Sequence, residues 1–208
     1  MVQSILTAEE FLERRFELPE SGQWSELEEG VPVFFEPPDL DHGTTLLNLS
    51  KALSTYVHQS GVGYPCFDLG LVMARSPDTV LFPAVSYFVG GPRFAEADLA
   101  ATDTVPSLIV EMLSTPDRRN AFESRMLRYL ERGTRAVWGV RPRDKTIEVR
   151  HAGTARTVLK ADEMLDAGAL LPGLSIQVAQ LFDEPEWYRR PHASAFEKPA
   201  AEQPELEN

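Results

Sequence analysis

Residues 105–132 read VPSLIVEMLSTPDRRNAFESRMLRYLER, and the fold turns on how this stretch is parsed. Val105 to Leu113 is an apolar run of strand length with a single carboxylate, Glu111, inside it. Thr115-Pro116-Asp117 is a helix-start signal, and the helical pattern runs to about Arg132, where Gly133 stops it. Arg135 to Arg141 (RAVWGVR) is again a strand. A carboxylate in an apolar strand is costly unless paired. Two readings of Glu111 follow: a cation ligand, or a salt bridge to Arg118, Arg119 or Arg125 on the next helix.

Upstream, Thr7-Ala8-Glu9-Glu10 is a capping box for a short helix, about Ala8 to Arg15. Trp24 to Phe35 reads as two short strands turned at Glu29-Gly30. Asp39 or Asp41 caps a helix of about Gly43 to Gln59, closed by Gly61 and Gly63. Cys66–Ala74 and Thr79–Val89 each read as one strand, the second with Pro83 marking an edge or irregularity. Downstream, Thr146–His151 and Thr157–Lys160 form a hairpin, and Ile176–Phe182 a short apolar helix. The fold class is therefore α/β or α+β: a mixed central sheet flanked by helices, with an N-terminal hairpin. The domain is expected to span residues 1–183. Residues 184–208, rich in Pro, Ala and Glu, read as a mostly disordered acidic tail.

The chain has 208 residues and a net charge of −12. Residues 1–41 carry −9 and residues 183–208 carry −4, whereas Arg118 to Arg150 carries +6. Acidity thus sits at the ends, and a basic segment lies in the middle, where local clustering can meet phosphates. The alternative for these arginines is a solvated helix face. No apolar run approaches the ~20 residues that span a bilayer, so no membrane role is expected. The first residues lack a basic segment followed by a long apolar one, and Cys66 is the single cysteine. A cytoplasmic location is expected. Several catalytic templates are missing. The four histidines show no HxH or HExxH spacing, and no GxGxxG, GxxxxGK[ST] or GxSxG occurs.

Seven segments, in order, resemble the Uma-type family of putative restriction endonucleases, a bacterial group within the PD-(D/E)XK nuclease superfamily. They are LTAEEFLE (6–13), SELEEGVPVFFEPP (25–38), DHGTTLLNLSKALSTYV (41–57), TVLFPAVSYF (79–88), VPSLIVEMLST (105–115), SRMLRYLERGTRAVWGVRP (124–142) and DAGALLPGLSIQVAQLF (166–182). The resemblance implies a restriction-endonuclease-like fold and a site built from an early Glu, an Asp after Pro, a strand Glu and a Lys on the next helix. These positions fall on Glu26, Ala84, Glu111 and Arg125. In the family the acids hold magnesium, which activates water and offsets phosphate charge. Ala84 offers no ligand, which would leave Glu111 as a weak or lost metal ligand. Arg125 stays protonated and cannot relay protons as Lys can. The expectation is an impaired nuclease, with Glu26, Glu111 and Arg125 marking the site. The alternative is an active magnesium-dependent DNA endonuclease in which another acid, Asp68 or Asp78, has taken the vacant role. The basic segment suggests DNA contact through Arg118, Arg119, Arg125 and Arg128, and the resemblance implies a homodimer, for which Phe34 and Phe35 supply apolar surface.

Overall fold

The computed structural model describes residues 5–185. The expected tail lies outside these residues beyond position 185. Helix α1 (Ala8–Arg14) leads to a hairpin, β1 (Ser25–Glu28) and β2 (Val31–Phe34), and then to α2 (Leu40–Ser60). Next come β3 (Tyr64–Phe67), β4 (Gly70–Ala74), β5 (Thr79–Leu81), β6 (Val85–Phe88) and β7 (Ala101–Thr102). Then β8 (Leu108–Met112), α3 (Pro116–Glu131) and β9 (Ala136–Arg141) form a strand–helix–strand unit, since β8 and β9 pair in parallel. The hairpin β10 (Thr146–His151) and β11 (Thr157–Leu159) follows, then β12 (Met164–Asp166), β13 (Ser175–Gln177) and a 3-10 turn at Val178–Phe182.

Local signals set the element ends. Thr7 Oγ1 accepts from Glu10 N, and Thr7 N donates to Glu10 Oε2 at 2.9 Å, which closes the capping box. Asp39 caps α2 by accepting from His42 N. Glu29 and Gly30 both take positive φ, the requirement of a tight turn that matches strand twist.

The mixed strands are distributed over more than one sheet. A six-stranded sheet has the order β11-β10-β9-β8-β6-β3, a five-stranded sheet has β2-β1-β5-β4-β7, and β12 pairs with β13 alone. The two long runs expected as single strands each break and change sheet. Cys66–Ala74 breaks at Asp68, which adopts a positive φ, so β3 joins the larger sheet and β4 the smaller. Thr79–Val89 breaks at Pro83, which has no N–H for a ladder, so β5 and β6 also part. The expected helix at Ile176–Phe182 is a strand end followed by the 3-10 turn.

Side-chain alternation along β8 explains the packing. Leu108, Val110 and Met112 join the core cluster that contains Leu49 and Leu53 of α2. Ile109 and Leu113 face the other way, into a cluster with Phe122, Met126 and Tyr129 of α3 and with Leu71 and Leu81 of the smaller sheet. Helix α3 therefore packs across both sheets. Glu111 shares parity with Ile109 and Leu113, so it is on the α3 side of β8.

Candidate active site

Where the two sheets meet under α3, a buried ionic cluster joins them. Glu26 of β1, Glu111 of β8 and Arg125 of α3 are 4%, 6% and 7% exposed. Arg125 Nε and Nη2 donate to Glu111 Oε1 at 2.9 and 2.7 Å. Nη2 also donates to Glu26 Oε1 at 3.0 Å, and Nη1 donates to Glu26 Oε2. Tyr129, one turn along α3 from Arg125, donates its hydroxyl to Glu111 Oε1 at 2.6 Å. Phe82 N donates to Glu26 Oε1 at 2.7 Å, which ties the β5–β6 crossing to the cluster.

Burial pushes the Glu111 carboxyl above its ordinary range, with Arg125 opposing and the nearby Glu26 adding to the rise. Burial works to lower the Arg125 guanidinium, and the two facing carboxylates more than reverse this. The guanidinium is thus a permanent cation held between two acids. Helical arginines are usually solvated; this one is buried because β1 and β8 both aim a carboxylate at the face of α3 it occupies.

Beside the cluster is a cavity of about 170 Å³. It lies at the two chain crossings between sheets, and Phe67, Asp68, Phe82, Pro83 and Ala84 contribute to its wall. Gln23, Trp24, His42, Leu46, Glu111, Met112 and Arg118 complete it. The Arg118 guanidinium lies over the Trp24 ring at 5.3 Å and the Phe35 ring at 4.9 Å. Its Nε and Nη2 are buried without a hydrogen-bond partner. Burial lowers the Arg118 pKa, and Glu111 and Glu26 act against that. His42 stacks edge-on against Trp24, and its Nδ1 is 2.7 Å from Ser114 Oγ. Burial and the nearby Arg118 charge depress the imidazole to about 4, against a weaker opposing effect of Asp39. It is therefore neutral at pH 7.

The structure brings Glu26, Glu111 and Arg125 into one cluster and puts Ala84 on the adjoining cavity. Asp68 lines that cavity at its exposed rim and pairs with Arg15 at 3.0 Å. Asp78 is elsewhere: it accepts from Ala8 N and Ser76 N and pairs with Arg75. The four arginines expected to meet DNA do not form one open face. Arg125 is buried, Arg128 pairs with Glu28 at 2.8 Å, and Arg119 donates to the Leu113 and Ser114 carbonyls. Arg118 alone of the four lines the cavity. Sequence reading missed Trp24 and His42. Their role comes from contacts with α3 and with Ser114 that no local pattern encodes.

The Uma2 family, described as "Putative restriction endonuclease", matches residues 8–179. Among solved structures, a putative nuclease belonging to DUF820 from Anabaena variabilis is similar, with a TM-score of 0.67 at 20% identity. The match covers 82% of this chain and 96% of that one, and at this identity it speaks for the fold. No curated protein matches the chain. No described helix is long and apolar enough to cross a membrane.

Proposed function

We propose, for a chain that belongs to the Uma2 family of putative restriction endonucleases, a nuclease-fold protein that engages nucleic acid without hydrolysing it. The observation that carries this is the position of Arg125. Its guanidinium occupies the space between Glu26 and Glu111, the two family acids that remain.

Family nucleases are generally metal-dependent, so the donor set must be compared with what a cation needs. A magnesium ion takes about six oxygen ligands, with carboxylates among them. Here both carboxylates already accept hydrogen bonds from an arginine that cannot be deprotonated. The third position is Ala84, which has no oxygen in its side chain. Among the described residues, no group of three or more His, Cys, Asp or Glu side chains is placed to hold a metal. The residues present do not fit the ion. The fork of Arg125 replaces it in one respect: it neutralises the acids and holds β1 against β8.

Calorimetric titration with magnesium and manganese tests this, paired with a DNA-cleavage assay. The expected results are no metal-binding heat and no cleavage. Ala84→Asp with Arg125→Lys should restore metal binding, and Glu111→Ala in that background should remove it. Robust wild-type cleavage that Glu111→Ala stops would overturn the proposal.

One observation favours a second reading. Asp68 shares the cavity wall with Glu111, so it could serve as a displaced acid in an active magnesium-dependent endonuclease. In that case Asp68→Asn would abolish both metal binding and cleavage.

A further inference from the structure

The cavity beside the cluster has the size and polarity of a small ligand site. Its volume, about 170 Å³, is close to the roughly 150 Å³ of an engineered cavity that holds one benzene ring. One ring with its polar substituents fits comfortably. Phe67, 39% exposed, puts apolar surface on the wall.

The polar groups are complementary rather than alike. Arg118 lines the cavity, and its Nε and Nη2 are buried against the Trp24 and Phe35 rings without a hydrogen-bond partner, so a small turn of the guanidinium brings donors to a ligand. Such orphaned donors call for a physical explanation. Glu111 supplies an acceptor. All its hydrogen bonds fall on Oε1, and the residue also lines the cavity. Charge selects further. Glu26 and Glu111 are balanced by Arg125 and Arg118, so the site is already neutral. A phosphate would bring negative charge beside Glu111 and Asp68, whereas a neutral polar ring would not.

We infer that this cavity is a pocket for the pyrimidine base of a single-stranded or extruded nucleotide, an inference that rests on the nucleic-acid reading above. A pyrimidine is one planar ring with a donor next to acceptors. Cytosine would give its amino group to Glu111 and take hydrogen bonds from Arg118 on its carbonyl side, using the edge that pairing would otherwise occupy. Stacking against an aromatic face and an arginine adds affinity for any such base.

The test is calorimetry on the full chain with three probes: cytidine, adenosine and inorganic phosphate. Cytidine should bind, and the other two should bind at least about tenfold more weakly, the factor that about 1.4 kcal/mol gives. Arg118→Met should weaken cytidine about tenfold or more, in line with one lost bidentate contact. Ala84→Leu, which fills the cavity from the residue just before β6, should block cytidine as well. It keeps the test decisive if Arg118→Met does not fold. Phosphate binding as tightly as cytidine would overturn the inference in favour of an anion site. Adenine has no carbonyl for Arg118, so equal adenosine binding would overturn the choice of a pyrimidine, and no binding of any probe would overturn the pocket. A magnesium titration of the same samples separates the two proposals. Metal heat alongside cytidine binding refutes the closed cation site and leaves the pocket standing, and silence to both refutes the pocket alone.

Discussion

Arg125→Met removes the one side chain that joins the acids of both sheets. Five hydrogen bonds end with it: two to Glu26, two to Glu111 and one to the Tyr129 hydroxyl. The Met side chain keeps the apolar stem but leaves two buried carboxylates near each other with no cation between them. Removing one partner of a buried ion pair typically costs about 3–5 kcal/mol. For a domain of this size each kcal/mol moves Tm by about 2–4 °C, so Tm should fall by roughly 6–20 °C. The loss also depends on pH. Burial already raises the Glu111 carboxyl above its ordinary 4.5, against the pull of Arg125. Without Arg125 the rise grows. A folded-state pKa above the unfolded one means that the folded chain keeps a proton the unfolded chain releases. The associated stability is present below about 4.5 and is lost as pH rises through the folded value. The Tm gap between variant and wild type should therefore widen from about pH 5 to about pH 8.

Thermal and urea melts followed by circular dichroism read both quantities. The same substitution in a Glu26→Gln/Glu111→Gln background should cost little, because no unpaired acid is left behind. A loss below about 1 kcal/mol at pH 8, or a gap that narrows with rising pH, would refute the bridging role of Arg125.

Three other outcomes are expected. The depressed His42 imidazole, at about 4 against an ordinary 6.5, means that the unfolded chain gains a proton the folded site resists. Stability on the order of 3 kcal/mol should be lost as pH falls from about 6.5 to about 4, and His42→Gln should flatten that part of the Tm–pH curve. A Cβ on Gly139, which pairs with Glu111 across β8 and β9, would lie 2.5 Å from Phe122 Cζ. Gly139→Ala should therefore cost about 1–3 kcal/mol in a urea melt. Phe34, 51% exposed on the outermost strand β2 of its sheet, is proposed as part of a homodimer contact. Light scattering should give twice 23.2 kDa for wild type and 23.2 kDa for Phe34→Glu, and a wild-type monomer would dismiss that contact.

The parts of this fold that were legible in the sequence are those with local causes. The Thr7 capping box, the Glu29-Gly30 turn, the Asp39 cap and the strand–helix–strand unit around Glu111 each depend on neighbours within a few residues. The division into two sheets was not legible. Thr79–Val89 is apolar on both sides of Pro83 because each half is buried, so hydrophobicity carries no mark of the change of sheet. The ion-pair reading of Glu111 left three arginines open as partners. Strand parity and the i,i+4 pairing of Arg125 with Tyr129 decide among them, but only once α3 is known to lie on that side of β8.

Ala84 and Arg125 look like two separate losses when they are read along the chain. In space they belong to one charge balance. With Asp at position 84, three carboxylates would face Arg118 and the helix cation, and the remaining negative charge would favour a divalent ion. With Ala84, two carboxylates face two guanidiniums, and the junction is neutral without any ion. Arg125 suits this arrangement better than Lys, since its planar fork reaches both acids at once. A lysine would place a point charge against one acid and leave the other in need of a partner. On the reading proposed above the two positions support each other: without an acid at position 84 no ion is called for, and the guanidinium keeps the sheets joined.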